Sequence, residues 1–189
     1  MAGGWLREEQ ADLAVDKILD AASRAFVELG VSATSMSDIA RYAGCSRGTL
    51  YRYFKTRHEL HVAFVNRTAV ELAGRVGAEI SSIEDPFERL VESILRSVHH
   101  VRNTPAAAAW FAPADAGMGA GISRGSETID ALTTTFIARL VGERDDGSSD
   151  RLLPRWLVRV IVSLLTSPGE SADEERTLVA RFVAPAIVR

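Results

Sequence analysis

With 189 residues, 47% hydrophobic and 25% charged, the chain has the composition of an ordinary globular protein, long enough for one core or for a small and a medium one. Its net charge of −3 excludes a general polycation, and its single cysteine, Cys45, excludes an intramolecular disulfide and any multi-cysteine metal site. The opening MAGGWLREEQ lacks the apolar centre of a secretory signal. The most apolar run, Trp156 to Leu165, is broken by Arg159 and is far short of the roughly 20 residues of a membrane span, so a cytoplasmic protein with no membrane contact is expected.

Residues 1–9 read as a loose arm. From Gln10 to Leu29 the residues Val15, Ile18, Leu19, Ala22, Phe26 and Leu29 recur at helical spacing, and Gly30 ends the run. Ser35, with Asp38 three residues on, has the form of a capping box opening a second helix. Ile39, Ala40 and Ala43 give that helix an apolar side, and Gly44 suits the left-handed residue that closes it. Ser46 then caps a third helix over 47–54, in which Leu50 and Phe54 face inward. Thr56 and Glu59 repeat the box and open a fourth. Two short capped helices joined by a glycine turn are the grammar of a helix-turn-helix, whose second helix enters the DNA major groove.

Charge agrees with this reading. Residues 1–60 carry eight basic and eight acidic side chains, yet between Asp38 and Glu59 there are five basic residues, Arg41, Arg47, Arg52, Lys55 and Arg57, and no acidic one. The remaining 14 basic and 17 acidic residues make the body mildly acidic. A local basic patch on a neutral head supplies phosphate attraction on one face. Cys45, in the turn, reads as a small packing residue.

The stretch Phe26–Ser35, together with Asp38-Ile39-Ala40, Ala43-Gly44, Ser46-Arg47-Gly48-Thr49-Leu50-Tyr51 and Tyr53-Phe54, resembles the N-terminal domain of tetracycline-repressor (TetR) family transcription regulators. The resemblance covers about the first third of the chain. It implies an all-α homodimer with a helix-turn-helix domain, 1–55, and a ligand-binding and dimerisation domain, 56–189, sharing a helix over 56–80.

Within that frame Arg47, Gly48 and Thr49 occupy the first turn of the recognition helix, where base edges are reached. Gly48 allows close backbone approach, Thr49 can meet a thymine methyl or donate its hydroxyl, and Arg47 can reach guanine or a phosphate. Tyr51, Tyr53 and Lys55 are expected on the phosphate backbone, the positions the family commonly uses for it. Thr34 and Ser35 are expected to offer a hydroxyl and a helix N-terminus to an anion. Arg52 fits either a contact or a solvated side chain.

Beyond residue 80 the pattern stays helical. Pro86, capped by Asp85, opens a helix to about Arg102, and Pro105 opens an alanine-rich one through Trp110 and Phe111. Ala114 to Gly121 reads as flexible loop. A helix from Ser123 or Ser126 carries Ile129, Leu132, Phe136 and Leu140, and 143–150 reads as a polar linker. Two final helices are expected, Leu152 to Thr166 and Ala172 to Val188. No segment alternates with period two, so no sheet is expected.

The resemblance implies an effector pocket among the body helices; His99, Trp110, Phe111, Thr133 and Phe136, on central helices, are the candidate lining, and its apolar character points to a small hydrophobic or aromatic effector. It also implies dimerisation through the last two helices, for which Leu157, Ile161, Leu164, Leu165, Val179, Phe182 and Val183 are the apolar candidates. A palindromic operator needs two recognition helices about 34–36 Å apart.

Catalysis is not expected, nor a metal or cofactor. Gly121-Ile122-Ser123-Arg124-Gly125 has the G-x-S-x-G form, but no strand signal precedes it and His100 is the last histidine. His58-Glu59-Leu60-His61 is one residue short of H-E-x-x-H. The expected function is a ligand-responsive regulator, a repressor released from a palindromic operator; the alternative is a non-specific architectural DNA binder.

Overall fold

The computed structural model describes residues 4–141 and 152–188, with side chains from residue 10 onward and excluding that of 141. The polar linker expected at 143–150 lies outside the described residues, as do residues 1–3. The helices are α1 (Gly4–Leu29), α2 (Met36–Ala43), α3 (Arg47–Tyr53), α4 (Arg57–Glu79), α5 (Pro86–Asn103), α6 (Pro105–Ala108), α7 (Ala116–Gly125), α8 (Glu127–Val141), α9 (Leu152–Thr166), α10 (Ala172–Leu178) and α11 (Ala184–Ile187). There is no strand among the described residues. The fold is all-α. No described helix is long and apolar enough to cross a membrane.

Two expectations are corrected. The segment 4–9 is not a loose arm, because α1 already begins at Gly4. Ala114 to Gly121 is not loop, because α7 starts at Ala116. Its glycines suggest flexibility, but at Gly119 an added Cβ would lie 2.3 Å from the carbonyl oxygen of Trp110. The residue is glycine because two backbone segments meet there.

The last expected helix is interrupted. Between α10 and α11, residues Val179–Val183 form a π-helical turn. Pro185 stands two residues beyond it; in a regular helix its ring would press on the carbonyl four residues earlier, that of Arg181, which lies within the widened turn.

The chain divides into two compact units, 1–65 and 66–189, with the boundary inside α4. In the first unit, Ile18, Leu19, Phe26, Ile39, Leu50 and Leu60 are buried together with Phe64. Phe26 and Phe64 meet edge to face at 5.1 Å. Each such side chain contributes about 1.5–3 kcal/mol by leaving water, which two short helices could not gather without α1 and α4.

In the second unit α5 is central, burying Leu90, Val91, Ile94 and Val98 against Leu157, Leu164 and Leu165 of α9, with Val179, Val183 and Ile187 from the C-terminal turns. Ion pairs surround this core. Arg102 of α5 holds buried Glu175 through two hydrogen bonds of 2.9 and 2.7 Å and also donates to the Leu164 carbonyl. The Gly169 N–H donates to the same carboxylate at 2.9 Å. Hydrogen bonds from Arg102, opposed by burial and aided by Gly169, hold Glu175 below the usual carboxylate range. Arg176 pairs with both Glu88 and Glu92.

Candidate functional site

The helix-turn-helix is built by local caps. Ser35 accepts from the Asp38 N–H at 3.2 Å, and Asp38 accepts from the Ser35 N–H at 3.0 Å, the reciprocal box that fixes the start of α2. Hydrogen bonds from the Ser35 hydroxyl, from Arg41 and from the Ser35 N–H lower the Asp38 pKa from 3.8 to about 2. Gly44 closes α2 at φ 66° and ψ 30°, the left-handed region. Ser46 caps α3 by accepting from the Thr49 N–H at 3.0 Å. At the start of α4, Thr56 accepts from the Glu59 N–H, while the Glu59 carboxylate reaches back to the N–H of Lys55 at 2.9 Å.

These caps set the faces of α3. Leu50 and Phe54 are buried as expected. Arg47, Gly48, Tyr51 and Arg52 are exposed, as is Lys55 just beyond the helix. Thr49 is half-buried beside Ser46, their hydroxyls 2.9 Å apart. Tyr53 is half-buried with the Arg52 guanidinium over its ring at 5.1 Å, and Arg52 donates to its hydroxyl at 3.3 Å. Arg47, Gly48, Tyr51 and Arg52 of α3 are thus exposed, with Lys55 just beyond it, a cationic surface with an amphipathic phenol.

Three residues of the N-terminal region do something other than contact an anion. Thr34 is fully buried, and its hydroxyl donates to the carbonyls of Gly30 at 2.6 Å and Ala25 at 3.3 Å. It ties the turn to α1 and is withdrawn as a DNA contact. Ser35 does reach the surface, but its N–H and hydroxyl are bound to Asp38, whose carboxylate already occupies that helix N-terminus. Arg57 leaves the basic patch: it donates to the Val31 carbonyl at 2.6 Å and to that of Ser32 at 2.7 Å, anchoring α4 to the turn after α1. The remaining outward cations are Arg47, Arg52 and Lys55, with Arg41 paired to Asp38 at 3.0 Å.

The second unit contains an open cleft of about 770 Å³, walled by α4, α5, α8 and α9. Of the five expected lining residues it contains Thr133 and Phe136. The other three are corrected. His99 is exposed on α5, where its ring meets His100 and its carbonyl accepts from Asn103. Trp110 is buried, and Phe111 packs against the core. Aromatic residues at helical spacing fill cores before they line cavities. The lining that the sequence did not suggest includes Gly74, Gly77, Ser93, Ser97 and Arg139. Its available signal was the small residues Ala73, Gly74 and Gly77 on one face of α4.

The expected dimer stripe is largely internal. Leu157, Leu164, Leu165, Val179 and Val183 are buried in the core of their own subunit, and Ile161 faces the cleft. They are withdrawn as interface residues, because each side chain already has its apolar partners around α5. Phe182 is 62% exposed and stays available, beside Leu178 at 40%.

Comparison with known proteins identifies the architecture. Residues 18–64 match the family model of bacterial regulatory proteins, tetR family. Over 188 residues the chain is 40% identical to the uncharacterized HTH-type transcriptional regulator MT1294 of Mycobacterium tuberculosis (strain CDC 1551 / Oshkosh), covering 99% of this chain and 92% of that one. The protein belongs to the TetR family. It is a transcriptional regulator with a DNA-binding helix-turn-helix, not an enzyme.

The fold of other TetR-family proteins superposes on nearly the whole chain. The TetR family repressor AlkX from Dietzia sp. strain DQ12-45-1b, implicated in biodegradation of n-alkanes, matches with a TM-score of 0.67 at 24% identity, over 90% of this chain and 93% of that one. RolR in complex with its ligand resorcinol matches with a TM-score of 0.73 at 14% identity, over 96% and 90%. At these identities the likeness concerns the fold alone.

Proposed function

We propose that this TetR-family regulator is a homodimeric, ligand-responsive repressor that leaves a palindromic operator when a small, largely apolar effector occupies the cleft of its second unit. One observation carries the reading: α4 serves both units. Its first turns bury Leu60 and Phe64 in the core of the DNA-binding unit, and its later turns contribute Val70, Ala73 and Val76 to the cleft. An effector that favours one conformation of the α4 wall shifts the population toward it by its differential affinity, and by nothing else. The RolR complex with resorcinol supports a small molecule as effector within this fold.

On DNA, Arg47, Gly48 and Thr49 read base edges while Tyr51, Tyr53 and Lys55 hold phosphates. Ser35 contributes as the cap that fixes α2. A palindrome requires two copies, and Leu178 and Phe182, four residues apart, with Leu152 on α9, are exposed apolar side chains of the last helices open to a second chain.

Fluorescence anisotropy of the full chain on DNA flanking its own gene, at fixed salt with excess random competitor, tests the reading. Competitor-resistant binding at two protomers per site, or a multiple of two, is expected, with affinity reduced by an apolar effector. Binding that competitor abolishes, or a single protomer per site, overturns it.

A further inference from the structure

We propose that the effector is an amphipathic monoanion, with an apolar body lying along the glycine face of α4 and one carboxylate held by Arg139. This rests on the reading of the cleft as the effector site.

A volume of about 770 Å³ falls in the usual range for small-molecule sites. Most of the wall is apolar, from Val70 and Val76 on α4 and Ile80 just after it to Leu157 and Ile161 on α9. Several hydroxyls in the lining already donate to their own helices: Ser93 to the Leu90 carbonyl at 2.8 Å, Ser97 to that of Ser93 at 2.7 Å and Thr133 to that of Ile129 at 2.7 Å. They place little demand on a ligand for polar groups.

Arg139 is different. It is the one charged side chain among the described residues lining the cleft, and it has no ion-pair partner among the described residues. With Thr128, Leu132 and Thr135 it forms a line along one face of α8, at intervals of four, three and four residues, and it stands at the end of that line. No acidic side chain in the described lining would receive a cation, whereas a guanidinium takes a carboxylate through two parallel hydrogen bonds.

Gly74 and Gly77 shape the other side. Both lie inside α4, where glycine is among the poorest helix formers. Neither has a positive φ, and an added Cβ at either would meet nothing within 4 Å. The backbone and its neighbours therefore do not require glycine, and the space it leaves opens into the cleft. An extended or flat apolar body can lie directly on that stretch of backbone.

Calorimetric titration of the full-length protein with decanoate and with 1-decanol, at one pH above neutrality and one ionic strength, tests the assignment. In a cleft without charge the alcohol, being the more apolar, binds better. Wild type is expected to prefer decanoate by roughly tenfold or more, the scale of a hydrogen-bonded charge. Arg139→Gln should lose that preference and keep its affinity for the alcohol, while Gly77→Leu should weaken both. Gly74→Leu replaces it as the plug if Gly77→Leu melts below wild type.

Equal binding by wild type, or a preference that survives Arg139→Gln, overturns the anion assignment while leaving the cleft as the effector site. If wild type binds neither compound, or the plugged variants bind both as wild type does, the effector reading of the cleft fails and this inference fails with it.

Discussion

Gly77→Ala and Gly119→Ala apply one chemical change to two helical glycines of the same unit, and the structure assigns them opposite signs. In a helix interior alanine is favoured over glycine by about 0.8–1 kcal/mol. At Gly77 the new methyl enters open space, so nearly the whole of that gain should appear. At Gly119 the Cβ would lie 2.3 Å from the Trp110 carbonyl oxygen, 3.1 Å from its carbonyl carbon and 3.3 Å from its Cβ. Carbon and oxygen ordinarily approach to about 3.3–3.6 Å, so α7 and the 3-10 turn Ala109–Phe111 must separate by roughly an ångström. Trp110 is buried, and its carbonyl is backbone, so no side-chain rotation relieves the clash. Overpacking of this kind costs about 1–3 kcal/mol or more, which exceeds the propensity gain. For a chain of this size about 1 kcal/mol moves the melting midpoint by roughly 2–4 °C. Gly77→Ala should therefore melt roughly 2–4 °C above wild type, and Gly119→Ala below it by a similar or larger interval. Thermal unfolding followed by far-ultraviolet circular dichroism measures both. A Gly119→Ala protein that melts above wild type would show that α7 does not rest on Trp110, and would restore the reading of 114–121 as loop.

Lys55→Ala should weaken binding to every DNA sequence and reduce the slope of log affinity against log salt by about one; Tyr51→Phe should weaken binding without changing base preference, and Thr49→Ala should relax preference at one position. Anisotropy over a salt series separates these, and unchanged affinity in both Tyr51→Phe and Lys55→Ala would remove α3 from the interface. Thr34→Val should cost about 1–3 kcal/mol of stability through the lost hydroxyl donor, read from urea denaturation, while the folded protein keeps its operator affinity. A loss of affinity without a loss of stability would return Thr34 to the contact set. Asp38, depressed from 3.8 to about 2, contributes stability that is present above its ordinary value and lost as pH falls through the folded one. The difference in urea midpoint between wild type and Asp38→Asn should therefore shrink as pH is lowered from about 4 toward 2; a difference that does not vary with pH would show that the capping carboxylate is not held as described.

The helix-turn-helix was legible because its signals are local. A cap acts over three residues, as Ser35 does on Asp38 and Ser46 on Thr49, and Gly44 marks a backbone conformation that one residue defines. Adjacent hydroxyls were not separable in this way. Ser35 is an exposed cap and Thr34 a buried tie, because the carbonyl of Ala25 on α1 stands over one and not the other. Arg57 likewise counts as positive charge in the sequence, but in the fold it is bound to two carbonyls.

The body shows the same division more strongly. Helical periodicity located α5 and α9 and showed that each has an apolar face, since that information is carried by the spacing of side chains along one segment. Periodicity does not name the partner of that face. The stripe through Leu157, Leu164 and Leu165 serves the subunit's own α5, leaving Phe182 exposed. Nor does periodicity distinguish an empty neighbourhood from a crowded one. Gly77 faces a cleft and Gly119 faces a carbonyl. Caps, turns, charge and helix faces follow from residues a few positions apart and are fixed by sequence. Burial, cavity lining and the fate of each donor depend on atoms that chain folding brings from distant positions, and these only the tertiary structure decided.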